Sequence, residues 1–277
     1  MTVEAHAKVN FTLEVFGTRP DGYHALRSLV VPVSLFDTLT VERAETVSSD
    51  SPYGEKDLAV RAARALGVGA RLSAVKRIPA GGGLGGGSAD AAAALRALNA
   101  LYGLGRSPEA LAAVGATVGS DVPALVFGGP VLMEGRGECV TPVAPLPPLD
   151  LVLANPGVPV STPDVFAAFD RTHGVLAASE GKADSPSPTG RVLAALETGE
   201  VARIADALQN DLEEPAIAIC PAIADVLAAL RASGALGARM SGSGATCFGL
   251  CDSPAAAQAA AERLAAHGFR AWAVRTL

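Results

Sequence analysis

The chain has 277 residues, 49% of them apolar and 18% charged, with a formal net charge of -6. That composition excludes wholesale disorder, supplies apolar material for a large core divided over two lobes, and argues against a general nucleic-acid or membrane-surface binder while leaving room for one local basic pocket. No apolar run approaches the roughly 18 residues that span a bilayer, and Met1-Thr2-Val3-Glu4-Ala5-His6 lacks the basic start and apolar stretch of a signal peptide, so the expectation is a soluble cytoplasmic protein with no membrane or nucleic-acid partner.

From Ala7 to Phe16 apolar Val9, Phe11, Leu13 and Val15 alternate with Lys8, Asn10, Thr12 and Glu14. This period of two predicts a half-buried strand with Lys8 and Asn10 on one face. Arg19-Pro20-Asp21-Gly22 reads as a turn. Short strands are expected over 29–35 and 38–43, a helix over 56–66 and a strand over 71–78. A glycine-dense loop over 79–87 then feeds a helix over 88–103, whose Ala91, Ala94, Leu95, Leu98 and Leu101 share one face and which Gly103 ends. Ser107 caps the next helix with Pro108 in its first turn, and that helix meets the loop Gly119-Ser120-Asp121-Val122-Pro123.

Proline-rich 142–148 reads as a linker between lobes over 1–146 and 147–277, with the packing partner of the last strand left open. Beyond it come a strand over 149–154, an exposed loop over 172–189, helical patterns over 192–208 and 221–233, and the turn Arg239-Met240-Ser241-Gly242-Ser243-Gly244 before a strand over 246–251. A helix over 255–267 and a strand over 271–274 complete an order that suggests α+β rather than a doubly wound sheet. Cys139, Cys220, Cys247 and Cys251 form no CxxC pair and read as buried small hydrophobes. The histidines His6, His24, His173 and His267 have no zinc-ligand spacing.

The most informative segment is Pro79-Ala80-Gly81-Gly82-Gly83-Leu84-Gly85-Gly86-Gly87-Ser88-Ala89. With side chains nearly absent, backbone amides can surround an anion, and the following helix aims its positive dipole end at the same place. A flexible linker would share the composition, but a strand precedes this loop and an apolar-patterned helix follows at once. It is not a Walker A loop, since Gly87 stands where lysine should precede Ser88. Nor does the dinucleotide fingerprint fit, because the place of its ribose-binding acid falls at the end of a helix, near Leu101-Tyr102-Gly103.

Pro79 to Ala89 resembles the central phosphate-binding motif of the GHMP kinases. Ala7-Lys8-Val9-Asn10 resembles that family's N-terminal strand motif, and Arg239 to Ala245 its C-terminal glycine motif, all in the expected order. The resemblance implies a two-lobed α+β GHMP kinase fold. Its N-terminal lobe would have a ribosomal-protein-S5-like βαβ arrangement and bind ATP with Mg²⁺; its C-terminal lobe would be ferredoxin-like. Within the family, Asp21-Gly22-Tyr23-His24, Gly119 to Pro123, Asn155-Pro156-Gly157 and Val160-Ser161-Thr162 resemble a member of the non-mevalonate isoprenoid route. That member transfers the γ-phosphate of ATP to the 2-hydroxyl of an alcohol carrying a cytidine diphosphate. A homoserine- or mevalonate-type kinase, and a non-catalytic nucleotide-binding protein, are the alternatives.

Read from the residues alone, Asp121 is either an ordinary turn aspartate or a carboxylate that accepts a hydroxyl proton and orients the oxygen in line. The resemblance implies the second, with Lys8 beside it stabilising charge on the reacting oxygens. It also implies that Asn10 bonds the substrate and that Tyr23 and His24 read the cytosine, by a stacking face and by donor and acceptor edges; a hairpin flank packed on the core is the plainer role for that pair. Residues 79–89 would hold ATP. Ser88 would cap the helix and meet phosphate or Mg²⁺, and Asp90 suits the helix dipole. The turn Ser241, Gly242, Ser243 and Gly244 would close over phosphates. No carboxylate cluster identifies protein ligands of Mg²⁺, and monomer and weak homodimer are both open.

Overall fold

The computed structural model describes residues 1–174 and 187–277. In chain order the elements are β1 (Thr2–Asn10), β2 (Thr12–Thr18), β3 (His24–Arg43), β4 (Ser48–Ser49), α1 (Leu58–Leu66), β5 (Ala70–Val75), α2 (Gly86–Tyr102), α3 (Pro108–Ala116), α4 (Val122–Val126), β6 (Val131–Gly135), β7 (Cys139–Pro142) and β8 (Asp150–Asn155). They continue as α5 (Thr162–His173), α6 (Pro188–Thr198), α7 (Val201–Ala207), β9 (Gln209–Asn210), α8 (Glu213–Ile219), α9 (Ala222–Ala232), β10 (Gly237–Met240), β11 (Cys247–Cys251), α10 (Pro254–Ala266) and β12 (Arg270–Arg275).

Local chemistry accounts for many of the boundaries. Asp57 accepts the amides of Ala59 and Val60 to start α1, and Gly67 ends it at φ 80°. Ser107 caps α3 ahead of Pro108, and Gly103 closes α2 at φ 64°. The Arg19 turn forms as expected, with Gly22 donating its amide to the Arg19 carbonyl at 3.0 Å.

The first sheet is organised by β3, which pairs with β1, β2, β5 and β6. The sequence suggested two short strands here, whereas one strand of 20 residues runs through both. Pro32 does not break it, because Pro32 lies opposite Lys8, where the β1 ladder is irregular: His6 faces Phe36 and Lys8 faces Pro32. The second sheet is antiparallel in the order β10-β11-β8-β12. With the helices between β8 and β10 and α10 between β11 and β12, that order is the ferredoxin-like arrangement. The last strand, β12, pairs with β8, and Thr276 just beyond it bridges to Val33 of the first sheet.

Four further expectations are corrected. Lys8, Asn10, Thr12 and Glu14 are all buried rather than on a solvent face, because the second sheet's turns and α6 cover them. The 192–208 pattern is two helices, broken at Gly199 with φ 69°. Cys139 is exposed, and the other three cysteines are buried and free. Of the expected 172–189 loop, Thr172 and His173 end α5 and Pro188 and Thr189 begin α6; residues 175–186 lie outside the described residues. No helix among the described residues is long and apolar enough to cross a membrane.

One apolar cluster joins the sheets. Phe11, between β1 and β2, stacks on Phe248 of β11 with ring centroids 5.8 Å apart, and both are fully buried. This ties the strand that carries Lys8 to the sheet that carries the second glycine turn.

A buried acid holds the base of the glycine loop. Asp37, inside β3, accepts the amides of Arg77 and Ile78 and the Lys76 ammonium. Lys76 also bonds Asp90 in the first turns of α2, so one lysine joins the strand below the loop to the helix after it. Burial pushes the Asp90 carboxyl up to about 6, against the pull of Lys76. The folded protein therefore holds the Asp90 proton more tightly than the unfolded chain does. That stability is full below about pH 4 and is lost as the pH rises through about 6. Denaturant unfolding should show wild type losing stability relative to Asp90→Asn across that interval; a difference independent of pH would contradict the assignment.

Candidate active site

The glycine loop begins beyond β5 and ends at Gly85, whose left-handed backbone (φ 70°) precedes the first residue of α2. The helix thus starts at Gly86, earlier than its apolar pattern indicates. Ser88 is its third residue and not its cap, since no side chain caps α2. The first-turn amides have no intrahelical acceptors, and they face the loop with the positive end of a 17-residue helix.

Not every glycine here is reserved for an anion. A Cβ on Gly83 would meet the Ser241 carbonyl oxygen at 2.1 Å, and one on Gly82 would meet Thr246 Oγ1 at 2.8 Å. Those two positions are bare because the second glycine turn packs on them. Gly81 and Gly87 lie open to solvent. Leu84 is fully buried and anchors the loop, its carbonyl accepting the Lys8 amide at 3.0 Å.

The second turn joins β10 to β11. Thr246 donates its amide to the Gly82 carbonyl at 3.1 Å, and Ser241 Oγ donates to the Gly83 carbonyl at 3.0 Å. Asn210 of β9, which sequence reading missed, donates Nδ2 to the carbonyls of Met240 and Gly242 at 2.7 and 2.8 Å. Thr162, at the start of α5, meets Ser243 Oγ at 2.6 Å.

Lys8 is the hub. Its ammonium donates to Asn10 Oδ1 at 2.7 Å and stands 3.5 Å from Asp121 Oδ2. The lysine side chain is 3% exposed and the Asp121 side chain 32%. Asp121 is less a loop residue than expected: it occupies the cap position of α4, with Pro123 in that helix's first turn. Its side chain makes no cap bond, which leaves the carboxylate turned to Lys8. Asn10 Nδ2 donates to Ser28 Oγ at 2.7 Å, and the Asn10 amide donates to Ser241 Oγ at 3.3 Å. A Cβ on Gly85 would lie 3.2 Å from Lys8 Cε. Lys8, Asn10, Asp121, the glycine loop and the second turn therefore converge on one place.

Tyr23 and His24 do not join that place. His24 opens β3, and Val30, the partner of Asn10, lies six residues further on; along an extended strand this is about 20 Å. His24 Nε2 meets Asp170 Oδ1 at 2.8 Å, and its ring stacks on Phe166 with centroids 4.6 Å apart. Tyr23 is 50% exposed, with the Arg136 guanidinium 5.1 Å from its ring centre. A cavity of about 420 Å³ is lined by Val15, Gly17, Phe169, Asn210 and Glu214 among others, and among the described residues its lining includes none of Lys8, Asp121, Tyr23 and His24. Phe169 meets the His24 ring edge-on, and Asn210 holds the second turn.

Comparison with known proteins gives the family. The model of the GHMP kinases N terminal domain matches residues 56–129, and that of GHMP kinases C terminal matches residues 192–270. The 4-diphosphocytidyl-2-C-methyl-D-erythritol kinase of Cereibacter sphaeroides is 47% identical over 275 residues, covering 95% of this chain and 94% of the relative. The enzyme of that name from Symbiobacterium thermophilum is 42% identical, with both chains covered in full. A crystal structure of 4-(cytidine 5'-diphospho)-2C-methyl-D-erythritol kinase superposes with a TM-score of 0.83 at 40% identity, over 100% of this chain and 99% of that one. A crystal structure of L. major mevalonate kinase shares the fold, at a TM-score of 0.73 and 20% identity. The chain belongs to the GHMP kinase family and, within it, to the 4-diphosphocytidyl-2-C-methyl-D-erythritol kinases.

Proposed function

We propose that this chain transfers the γ-phosphate of ATP to the 2-hydroxyl of 4-diphosphocytidyl-2-C-methyl-D-erythritol, a step of the non-mevalonate isoprenoid route. The observation that carries the reading is the contact between Lys8 and Asp121 beside an amide-rich helix start. The proposal keeps a nucleotide lobe over 1–146 and a second lobe over 147–277, with the substrate in the cleft between them. ATP is kept in the cytoplasm, and the proposal puts the enzyme there.

In this reading the segment 79–89 holds the triphosphate, chiefly through the free first-turn amides of α2, and Ser241 to Gly244 close over it from the second lobe. The alcohol approaches Asp121, which accepts the hydroxyl proton as the oxygen attacks the γ-phosphorus. Lys8 stabilises charge on the reacting oxygens; its buried position makes each such contact stronger than in water. Asn10 holds the Lys8 ammonium in place and bonds the substrate. The methylerythritol chain and its diphosphate run towards Tyr23 and His24, which take the cytosine. The separation of about 20 Å along β3 suits a substrate with a nucleobase at one end and an alcohol at the other, and it gives a small acid such as mevalonate no use for the far end.

Mg²⁺ fits this site as a companion of the nucleotide rather than as an ion held by the protein. Among the described residues no three carboxylates, histidines or cysteines cluster, and the two acids beside the helix start, Asp37 and Asp90, are both occupied by Lys76. Such an ion, bound with the nucleotide, would supply positive charge against the phosphates during transfer.

Phosphorylation measured as ADP release on a panel of alcohols tests the assignment. Turnover of the cytidyl diphosphate and not of mevalonate or homoserine is expected; the reverse ranking would overturn it. Asp121→Asn and Lys8→Met should keep the fold by circular dichroism and lose about 10²- to 10⁴-fold in kcat. Wild-type turnover in either would remove that residue from the mechanism. Tyr23→Ala should raise KM for the cytidyl substrate by about tenfold or more, the worth of one stacked base, with KM for ATP unchanged. An unaltered KM would assign base recognition elsewhere.

A further inference from the structure

Arg96 projects from the middle of α2, mostly buried and facing no carboxylate: among the described residues it takes part in no ion pair. Burying a guanidinium without a counter-ion is costly unless its donors are used. Here they are used on α4. Arg96 Nη1 donates to the Leu125 carbonyl at 2.6 Å and reaches the Val126 carbonyl at 3.4 Å. Those are the last two residues of a five-residue helix, the end where carbonyls lack intrahelical partners and where the helix dipole favours a cation. Among the described residues no backbone amide serves either carbonyl.

The opposite end of α4 is Asp121. So short a helix has little stability of its own, and its position depends on what it packs against. A cavity of about 20 Å³ is lined by Ala89 and Arg96 of α2, Ala124 and Leu125 of α4, and His6. The Leu125 side chain in turn lies next to the site, since a Cβ on Gly85 would meet Leu125 Cδ1 at 3.5 Å and Lys8 Cε at 3.2 Å. The helix whose first turn faces the triphosphate thus grips, three turns later, the helix that starts at the carboxylate.

We propose that Arg96 is a positioning residue for phosphoryl transfer: by holding the Leu125 and Val126 carbonyls it fixes the axis of α4 and so sets the distance from Asp121 to the phosphate loop. This rests on Asp121 being the proton acceptor. A displacement of about 1 Å at a reacting group costs on the order of a hundredfold in rate, while none of the residues proposed to hold ATP or the cytosine lies on α4.

The test compares Arg96→Met and Arg96→Lys with Asp121→Asn and with Leu98→Ala, a core truncation in the same helix. Steady-state kinetics and thermal midpoints are measured for each. Arg96→Met is expected to lose about 10- to 100-fold in kcat with KM for both substrates within about twofold of wild type. Arg96→Lys, which keeps the charge but lacks the planar fork, is expected to lie between the two. Should Arg96→Met not fold, Arg96→Lys decides: a severalfold loss in kcat at unchanged KM supports the claim, and wild-type kcat overturns it. A kcat loss in Arg96→Met no greater than in a Leu98→Ala protein of equal thermal midpoint also overturns it. If Asp121→Asn is inactive and Arg96→Met fully active, only the positioning role falls. If Asp121→Asn turns over normally, the assignment of the base falls first.

Discussion

A lysine ammonium buried between two sheets has to be answered by hydrogen bonds and charge, and the architecture around Lys8 supplies both. Asn10 takes one of its protons and Asp121 stands next to it. Asn10 in turn is held by Ser28, and its amide by Ser241, which also bonds the glycine loop. Removing any member leaves a buried polar group unsatisfied. The polar chain therefore specifies how the lobes meet as well as what stands at the reacting centre, and the stack of Phe11 on Phe248 behind it fixes the same interface with apolar contact.

The glycines divide between two duties. Gly82 and Gly83 are bare so that the second turn can lie on the loop, while the start of α2 presents amides to an anion. Rigidity comes from outside the loop. Asp37 holds the backbone of Arg77 and Ile78, Lys76 links Asp37 to Asp90, and Asn210 holds the second turn. A backbone cradle of this kind needs little reorganisation when charge moves across it, and that is the condition for electrostatic stabilisation of a transition state.

Much of this was legible in the sequence because it is local. Ser107-Pro108, Gly103 and the apolar face of α2 state their roles within a few residues, and the alternation around Lys8 places it with Asn10 on one face. The order of the glycine motifs gave the fold. What escaped was set by partners distant in the chain. Asp37 falls in the gap between the two expected strands, yet it is buried inside β3, where the amides of Arg77 and Ile78 and the Lys76 ammonium, about 40 residues on, satisfy its carboxylate. Nothing local marks Arg96, whose carbonyl partner, Leu125, lies 29 residues later. Asn210 sits in a two-residue strand too short to show any period. Alternation puts Lys8 and Asn10 on one face, but it cannot say that the second sheet's turns cover that face and bury both.

The most direct measurement is a crystal structure with a non-hydrolysable ATP analogue and the cytidyl diphosphate alcohol bound together. The account predicts the triphosphate along the amides of residues 81–88, with the substrate's 2-hydroxyl oxygen about 2.6–3.2 Å from the Asp121 carboxylate and the Lys8 ammonium beside it. A triphosphate bound away from that helix start, or a hydroxyl beyond the reach of Asp121, would contradict it.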